Sequence, residues 1–599
     1  MLKLDIVFVT YNSEKWIEPC FRTLAASQAD LSGVSVYVVD NASSDNTVEK
    51  LREAKLAYGN VFGAFEIESS GKNLGFGAGN NLGAKFGKAP CLFFLNIDTE
   101  VYPDTLEQLM NQVQADWDSD FALWELRQLP YEHPKDYNIL TGETSWASGA
   151  AFAIRREMYE RIGGFDERIF MYGEDVDLSW RVRAEGARLR YVPKAAVQHF
   201  SYQKAGVVKP GQFIYSAVYN QLLRSKFGGA AERAEGCLWL ALKLIKGAPF
   251  KGSRTALLRT YVRCLPVIRD GRRWGKENAQ KLKKQRYTFY AFNYELERVG
   301  AFVPCARPTY DKKVSVIVRT CGRPAVLRET LCSLRAQTYP NMEVVIVEDG
   351  PNVSEDMIRT EFADLDIVYQ ATGEKRGRCV NGNIAMQLAT GDYLNFLDDD
   401  DLFYADHIET LVNALEQNPQ YRIAYSMGFE TPVDVHSRDP YSYDVKDIRT
   451  VCSAAFSLQE ILYHNIAPIQ AVMFERSIFE ECGGLDEGLD VLEDWDMWIR
   501  FAAQNPFLFV PKTTSVYRVP ANREINAQRQ KELDKALDTV RSRYRHLEQK
   551  EPSGSLKNAM LKTRSNTGLK GFVYCVIRKA YRMLRSVKMA IRRRMGRTL

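Results

Sequence analysis

The sequence predicts an α/β protein of two tandem domains with mostly parallel central sheets, a helical connector between them and a basic amphipathic C-terminal tail. Three observations predict it. Apolar runs of strand length alternate with helical patterns in two separate stretches of the chain. Both stretches carry the same landmarks in the same order, and the segment between them turns helical and basic.

Taken in order, Leu4 to Val9 is an apolar run ending in the polar turn Thr10-Tyr11-Asn12, and Glu14 to Ala26 has apolar residues at helical spacing. Val36 to Val39 reads as a buried parallel strand ending at Asp40-Asn41. The glycine-rich segment Lys72 to Asn80 opens a helix, and the next apolar strand ends at Asn96-Ile97-Asp98. A loop then enters a helix at Gly173-Glu174-Asp175-Val176-Asp177, and a late strand ends near His199. The second stretch repeats this. Val314 to Val318 precedes Arg319-Thr320-Cys321, Ala325 to Gln337 is helical, and Val344 to Val347 ends at Glu348-Asp349. Lys375-Arg376-Gly377 follows, then a strand ending in Asp398-Asp399-Asp400-Asp401, then Leu492-Glu493-Asp494-Trp495-Asp496. The offset between halves drifts slowly while the order holds, as a duplicated domain with unequal loops requires. The expected domains are 1–230 and 311–548, with a basic helical connector at 231–310 and a linker plus tail at 549–599.

The 599 residues exceed one hydrophobic core. A net charge of +5 is too small to imply nucleic acid, and no aromatic platform or recognition fold supports it. Eleven cysteines, odd in number and without a CxxC pair, fit free thiols in a reducing compartment. Met1-Leu2-Lys3-Leu4-Asp5 runs straight into a strand, and no uncharged apolar stretch reaches bilayer length, so a cytoplasmic protein is expected. After Glu551 there are thirteen Lys or Arg and no acidic residue. From Phe572, Val576, Ala580, Met583, Leu584, Val587 and Ile591 recur at helical steps among them, predicting a helix lying on the anionic inner face of the cell membrane.

The chemistry is concentrated at strand ends, where open α/β sheets bind ligands. Hard oxygen ligands two residues apart, Asp398 and Asp400, suit Mg²⁺ or Mn²⁺. In the first half Asn96 leaves Asp98 as the motif's sole carboxylate, so the second half is expected to hold a cation more tightly. The competing reading is a solvated acidic turn. Asp175 and Asp494 open helices, with Glu174 and Glu493 beside them; each is either a base or a helix-start charge. His199 is either a metal ligand or a hydrogen-bonded structural residue.

Trp146-Ala147-Ser148-Gly149-Ala150, Gly163-Gly164-Phe165-Asp166-Glu167 and Glu174 to Leu178, with Gly483-Gly484-Leu485-Asp486-Glu487 and Glu493 to Trp498, carry a family resemblance. Over most of its length the chain resembles glycosyltransferase family 2, of GT-A-type fold, and its first half resembles the rhamnosyltransferase-like branch. The resemblance implies a bifunctional, inverting, metal-dependent glycosyltransferase with Asp175 and Asp494 as catalytic bases. It implies nucleotide-sugar contacts at Thr10, Asp40, Asn41, Asn73, Gly75 and Asp98, and at Thr320, Glu348, Asp349, Lys375 and Asp399. Asn96, Asp98, His199, Asp398 and Asp400 would serve the divalent cation. Donors would be dTDP-rhamnose or UDP-sugars, and the acceptor a lipid-linked glycan of a surface polysaccharide. The alternative is one active half beside a non-catalytic sugar-binding module.

Overall fold

The computed structural model describes residues 2–547, except Pro134, residues 201–208 and Ala301. The expected amphipathic tail lies outside the described residues. Residues 1–540 fold as one compact unit. Its first sheet is built from β1 (Leu4–Thr10), β2 (Val34–Asp40), β3 (Ala64–Ser69), β4 (Cys91–Leu95), β5 (Thr99–Val101), β6 (Phe121–Leu129), β7 (Glu143–Thr144), β8 (Ala151–Arg155) and β9 (Arg188–His199). The path runs β3-β2-β1-β4-β8-β6-β9-β5, with β7 beside β9. Strands β3, β2, β1 and β4 are parallel, and β8 is antiparallel to β4 and β6.

The second sheet comprises β10 (Val314–Thr320), β11 (Met342–Glu348), β12 (Ile367–Ala371), β13 (Tyr393–Phe396), β14 (Leu402–Phe403), β15 (Ile423–Arg438), β16 (Tyr441–Val445), β17 (Arg449–Val451), β18 (Val472–Glu475) and β19 (Phe507–Pro520). Its path, β12-β11-β10-β13-β18-β15-β19-β14, is the first sheet's path repeated. The duplication read from motif order is therefore a duplication of topology.

Strands β1 and β10 are buried almost throughout because helices cover both faces, which is why they read as continuous apolar runs. Ile17, Cys20, Phe21 and Leu24 recur on one face of the helix Glu14–Ala25 and pack on Ile6, Phe8, Val36 and Val38. Each such side chain stabilises the fold by roughly 1.5–3 kcal/mol on burial. On the other face the helix Phe76–Gly83 lies close to the sheet. A Cβ on Gly83 would stand 2.5 Å from Val7 Cγ1, and one on Gly79 2.9 Å from Val9 Cγ1. The glycines of this segment thus serve close helix–strand packing.

Between the sheets, helices Pro210–Phe227, Ala230–Lys246, Ser253–Glu277 and Ala279–Leu282 form the connector's helical part. Among the described residues of 283–313 there is no helix, and this stretch runs mainly as an irregular strap. Buried charge joins the halves, partly through Arg298 of that strap and partly directly. Arg298 meets Asp406 at 3.0 Å and Glu132 at 3.1 Å, Lys512 meets Asp406 at 2.6 Å and Glu132 at 3.2 Å, and Arg127 meets Glu409 at 2.7 Å. Tyr137, Tyr191, Tyr404 and Phe429 pack beside them. Among the described residues the ten cysteines are free, and no helix is long and apolar enough to cross a membrane.

Candidate active sites

The ladders align the two sites residue by residue. β1 pairs with β4 from Leu4↔Cys91, and β10 with β13 from Val314↔Tyr393. This superposes Asn96 on Asp398, Asp98 on Asp400 and Val9 on Arg319. The edge ladders, Glu100↔Gln198 and Leu402↔Val516, then place Tyr517 where the first half has His199.

In the first half Asp98 ends at the sheet's carboxyl edge facing His199, whose Nε2 lies 3.4 Å from Asp98 Oδ1. Burial opposes ionisation of Asp98, but the imidazole outweighs it and holds the carboxyl below its usual range. Nδ1 of His199 is 2.8 Å from Gln128 Oε1, which fixes the ring with Nε2 toward Asp98. That Nε2 is buried and makes no hydrogen bond among the described residues. The Asp98 carboxylate oxygen and the His199 Nε2 beside it fit two corners of a divalent cation's shell. The Asn96 backbone NH donates to the Ala150 carbonyl, and its own carbonyl accepts from Thr99 Oγ1.

The second half differs where it matters for a cation. Arg319 grips Asp398 with two bonds, Nε to Oδ1 at 2.8 Å and Nη2 to Oδ2 at 2.7 Å, and reaches Glu493 Oε1 at 3.2 Å. Burial opposes the Asp398 carboxylate, yet Arg319 holds it below the usual range. Arg323 binds Asp399 and stands 3.4 Å from Asp400. Burial lifts Asp399 to about 7 despite that guanidinium. Asp401 is turned inward, accepting from the Arg518 backbone NH. Among the described residues no three His, Cys, Asp or Glu side chains converge as a metal cage. Arg319 and Arg323 thus meet the acidic run Asp398, Asp399 and Asp400 of this half.

The helix-start carboxylates keep one geometry in both halves. Asp175 Oδ1 accepts from Val176 NH at 2.8 Å and Oδ2 from Gly149 NH at 3.1 Å. Asp494 Oδ1 accepts from Trp495 NH at 2.8 Å and Oδ2 from Asn465 Nδ2 at 2.8 Å. In each case the second donor comes from the loop before the antiparallel strand, β8 or β18. Burial raises both carboxyls, Asp494 to about 7 with Glu493 adding to the effect. The chain enters the two helices through left-handed residues, Gly173 at φ 116° and Leu492 at φ 63°. A leucine held there is strained, as residues at functional turns commonly are. Glu174 Oε2 is buried without a partner among the described residues, and burial, then Asp175, lifts its carboxyl well above the ordinary range. Glu493 has Arg319 instead.

Thr10 Oγ1 donates to Asp40 at 3.0 Å, and Ser43 donates to both oxygens of that carboxylate. Asn41 Nδ2 donates to Gly75 carbonyl, leaving its Oδ1 unused among the described residues, and Asn73 Oδ1 accepts from Gly75 NH. The helix N-terminus at Gly75 is therefore partly occupied by the protein itself, with Phe76 NH given to Phe170. Across the other sheet Thr320 Oγ1 donates to Asp399, Glu348 accepts from Val353, Ser354 and Gly322, and Asp349 accepts from Arg376 and Gly377 NH. Lys375 is exposed. Sequence reasoning missed Gln128, Arg319, Arg323 and Asn465. Only Arg319 carried a signal, as a charge inside an apolar strand where the first half has valine.

Comparison with known proteins agrees with this architecture. The sequence profile of Glycosyl transferase family 2 matches residues 5–163 and again residues 315–454, and the chain belongs to that family. It is 26% identical over 194 residues to an uncharacterized glycosyltransferase of Rickettsia typhi, covering 32% of this chain and 59% of the relative. It is 29% identical over 248 residues to the N-acetylglucosaminyl-diphospho-decaprenol L-rhamnosyltransferase of Mycobacterium tuberculosis, covering 34% and 78%. A mannosyltransferase from Pyrobaculum calidifontis, solved with GDP-Man and Mn²⁺, is similar at 18% identity and a TM-score of 0.33 over 47% of this chain and 85% of that one. The chain spans about three fifths of the length of the first curated relatives it matches. Its two sheets are of the GT-A type.

Proposed function

We propose that each half transfers a sugar from a nucleotide diphosphate to an acceptor hydroxyl with inversion, using Asp175 in the first half and Asp494 in the second. The observation that most supports this is the shared placement of both carboxylates: a helix start, one bond from the next backbone NH and one from the preceding strand's loop. Each Asp accepts the acceptor's proton as that oxygen bonds the anomeric carbon and the carbon–oxygen bond to the diphosphate breaks. A raised carboxyl is a stronger base for that step. Asp98 and His199 would hold a divalent cation in the first half, where it would offset the growing charge of the diphosphate. In the second half Asp400 would be its ligand, with Arg319 and Arg323 supplying fixed positive charge beside the diphosphate. The likeness to an N-acetylglucosaminyl-diphospho-decaprenol L-rhamnosyltransferase supports rhamnose as the transferred sugar and a lipid-linked glycan as acceptor.

The experiment supplies candidate donors with a lipid-linked glycan and resolves the products by linkage. Asp175→Asn should remove one linkage and Asp494→Asn the other. A variant that keeps both linkages at the wild-type rate overturns its assignment. A second reading, with the second half a sugar-binding module, is favoured by the Arg319 grip on Asp398 and by Tyr517 in place of histidine. It predicts that Asp494→Asn leaves every linkage intact.

A further inference from the structure

The connector's helices have an outer side that the rest of the described protein leaves uncovered. Inward, Leu240 and Leu244 of Ala230–Lys246 and Leu257, Tyr261 and Cys264 of Ser253–Glu277 pack on Phe213, Ile214, Ala217 and Val218 of Pro210–Phe227. Outward, Leu258, Val262 and Leu265 form one stripe at steps of four and three, and they are 50%, 54% and 43% exposed. Leu238 and Ile245, two turns apart on the neighbouring helix, are 56% and 72% exposed. Exposed Lys251, Arg254, Arg259, Arg263, Arg269 and Arg273 interleave with them. Between Gly236 and Lys276 there are ten Lys or Arg and one acidic residue, Asp270. Large apolar side chains in water, among cations of which Arg273 pairs with Asp270 at 3.7 Å and the rest make no ion pair with a carboxylate among the described residues, mark an interaction surface.

We propose that this outer face of Ala230–Lys246 and Ser253–Glu277 docks on an anionic lipid bilayer, with the leucine and valine stripe entering the headgroup boundary and the arginines meeting lipid phosphates. Charge and apolarity together select this occupant. A nucleic acid would satisfy the cations and leave the stripe in water. A second copy would set like charges together, and the chain's own basic C-terminal segment has the wrong sign to cover the patch. An interfacial helix presents both features on one side.

The location matters for the first site. The Tyr219 hydroxyl of Pro210–Phe227 accepts from Phe170 NH, Lys226 meets Asp177 at 2.5 Å, and Gly173 sits against the Tyr219 side chain. One helix layer therefore separates the docking face from the helix that carries Asp175. Docking would hold that site near the bilayer surface, where a lipid-linked acceptor lies. The surface itself is inferred without reference to which sugar either half transfers.

The test is vesicle flotation of the full-length protein on phosphatidylcholine vesicles with and without phosphatidylglycerol. Wild type should float only with phosphatidylglycerol. The triple substitution Leu258→Ser, Val262→Ser and Leu265→Ser should lower partitioning by about tenfold or more, and Arg259→Glu with Arg263→Glu should abolish it at moderate salt. Hydrogen exchange of wild type should slow over residues 253–277 when vesicles are added, which checks the site without any substitution. Flotation of the apolar triple equal to wild type would overturn the proposal, assigning binding to the tail or to charge alone. So would unchanged exchange over 253–277, or wild-type binding to duplex DNA that the apolar triple retains while vesicles bind neither protein.

Discussion

Replacing Arg127 by methionine tests whether the halves are welded by charge. Arg127 Nη1 lies 2.7 Å from Glu409 Oε2, and each side chain is 1% exposed. Burial works against the guanidinium's charge, but Glu409 and then Glu132 outweigh it and keep Arg127 firmly protonated. Methionine fills much of the same volume and removes the charge. Glu409 is left buried with the Thr338 hydroxyl and the Cys305 thiol as neighbours, neither able to neutralise it. Breaking a buried pair by removing one partner costs about 3–5 kcal/mol, a large part of the roughly 5–15 kcal/mol that holds a folded domain. Removing both charges, as Arg127→Met with Glu409→Gln, should recover most of that, because no ion is stranded. The assay is urea denaturation followed by tryptophan fluorescence, with the four proteins of the double-mutant cycle compared. Arg127→Met should lower the midpoint most, and the double variant should lie above it, with a coupling of roughly 2–3 kcal/mol. A single-variant cost below about 1 kcal/mol, or strictly additive costs, would refute the argument that this contact joins the halves.

Three further outcomes are expected. Asp494 must be ionised to act as base and is raised to about 7 by burial and Glu493, so second-half transfer should rise about tenfold per unit below that pH and level above it. Asn465→Ala, which removes a bond to the charged form, should move the midpoint upward; a flat profile from about pH 5.5 to about 8.5 would refute the base assignment. Gln128→Leu frees the His199 ring and should raise the Mn²⁺ needed by chelator-treated first half by roughly 10–100-fold, while the second half, with Arg319 on Asp398, should respond differently until Arg319→Val is made. Identical titrations of both halves in all proteins would contradict this. Gly83→Ala places a methyl 2.5 Å from Val7 Cγ1 and should cost about 1–3 kcal/mol of stability by thermal denaturation; a neutral result would mean the helix can lift from the sheet.

What the sequence determined by itself was local or repeated. Strands buried on both faces must be apolar along their whole length, so β1, β2, β10 and β11 were legible as runs, and the amphipathic helices as periods. Carboxylates at strand ends and helix starts were legible because position within an element depends on neighbours in the chain. Tertiary structure alone decided which groups those carboxylates meet. Arg319 and Asp398 are 79 residues apart and become bonded only because β10 and β13 are adjacent strands. Tyr517 stands at the histidine position because the edge ladder of β14 and β19 sets it there. Gly79 and Gly83, which read only as part of a glycine-rich helix start or its continuation, are small because the helix packs on β1 through them. Arg127 and Glu409, polar residues in sequence, are interior because the halves close on each other. A contact between distant segments depends on the free energy of bringing them together, and no local pattern of residue types encodes that pairing.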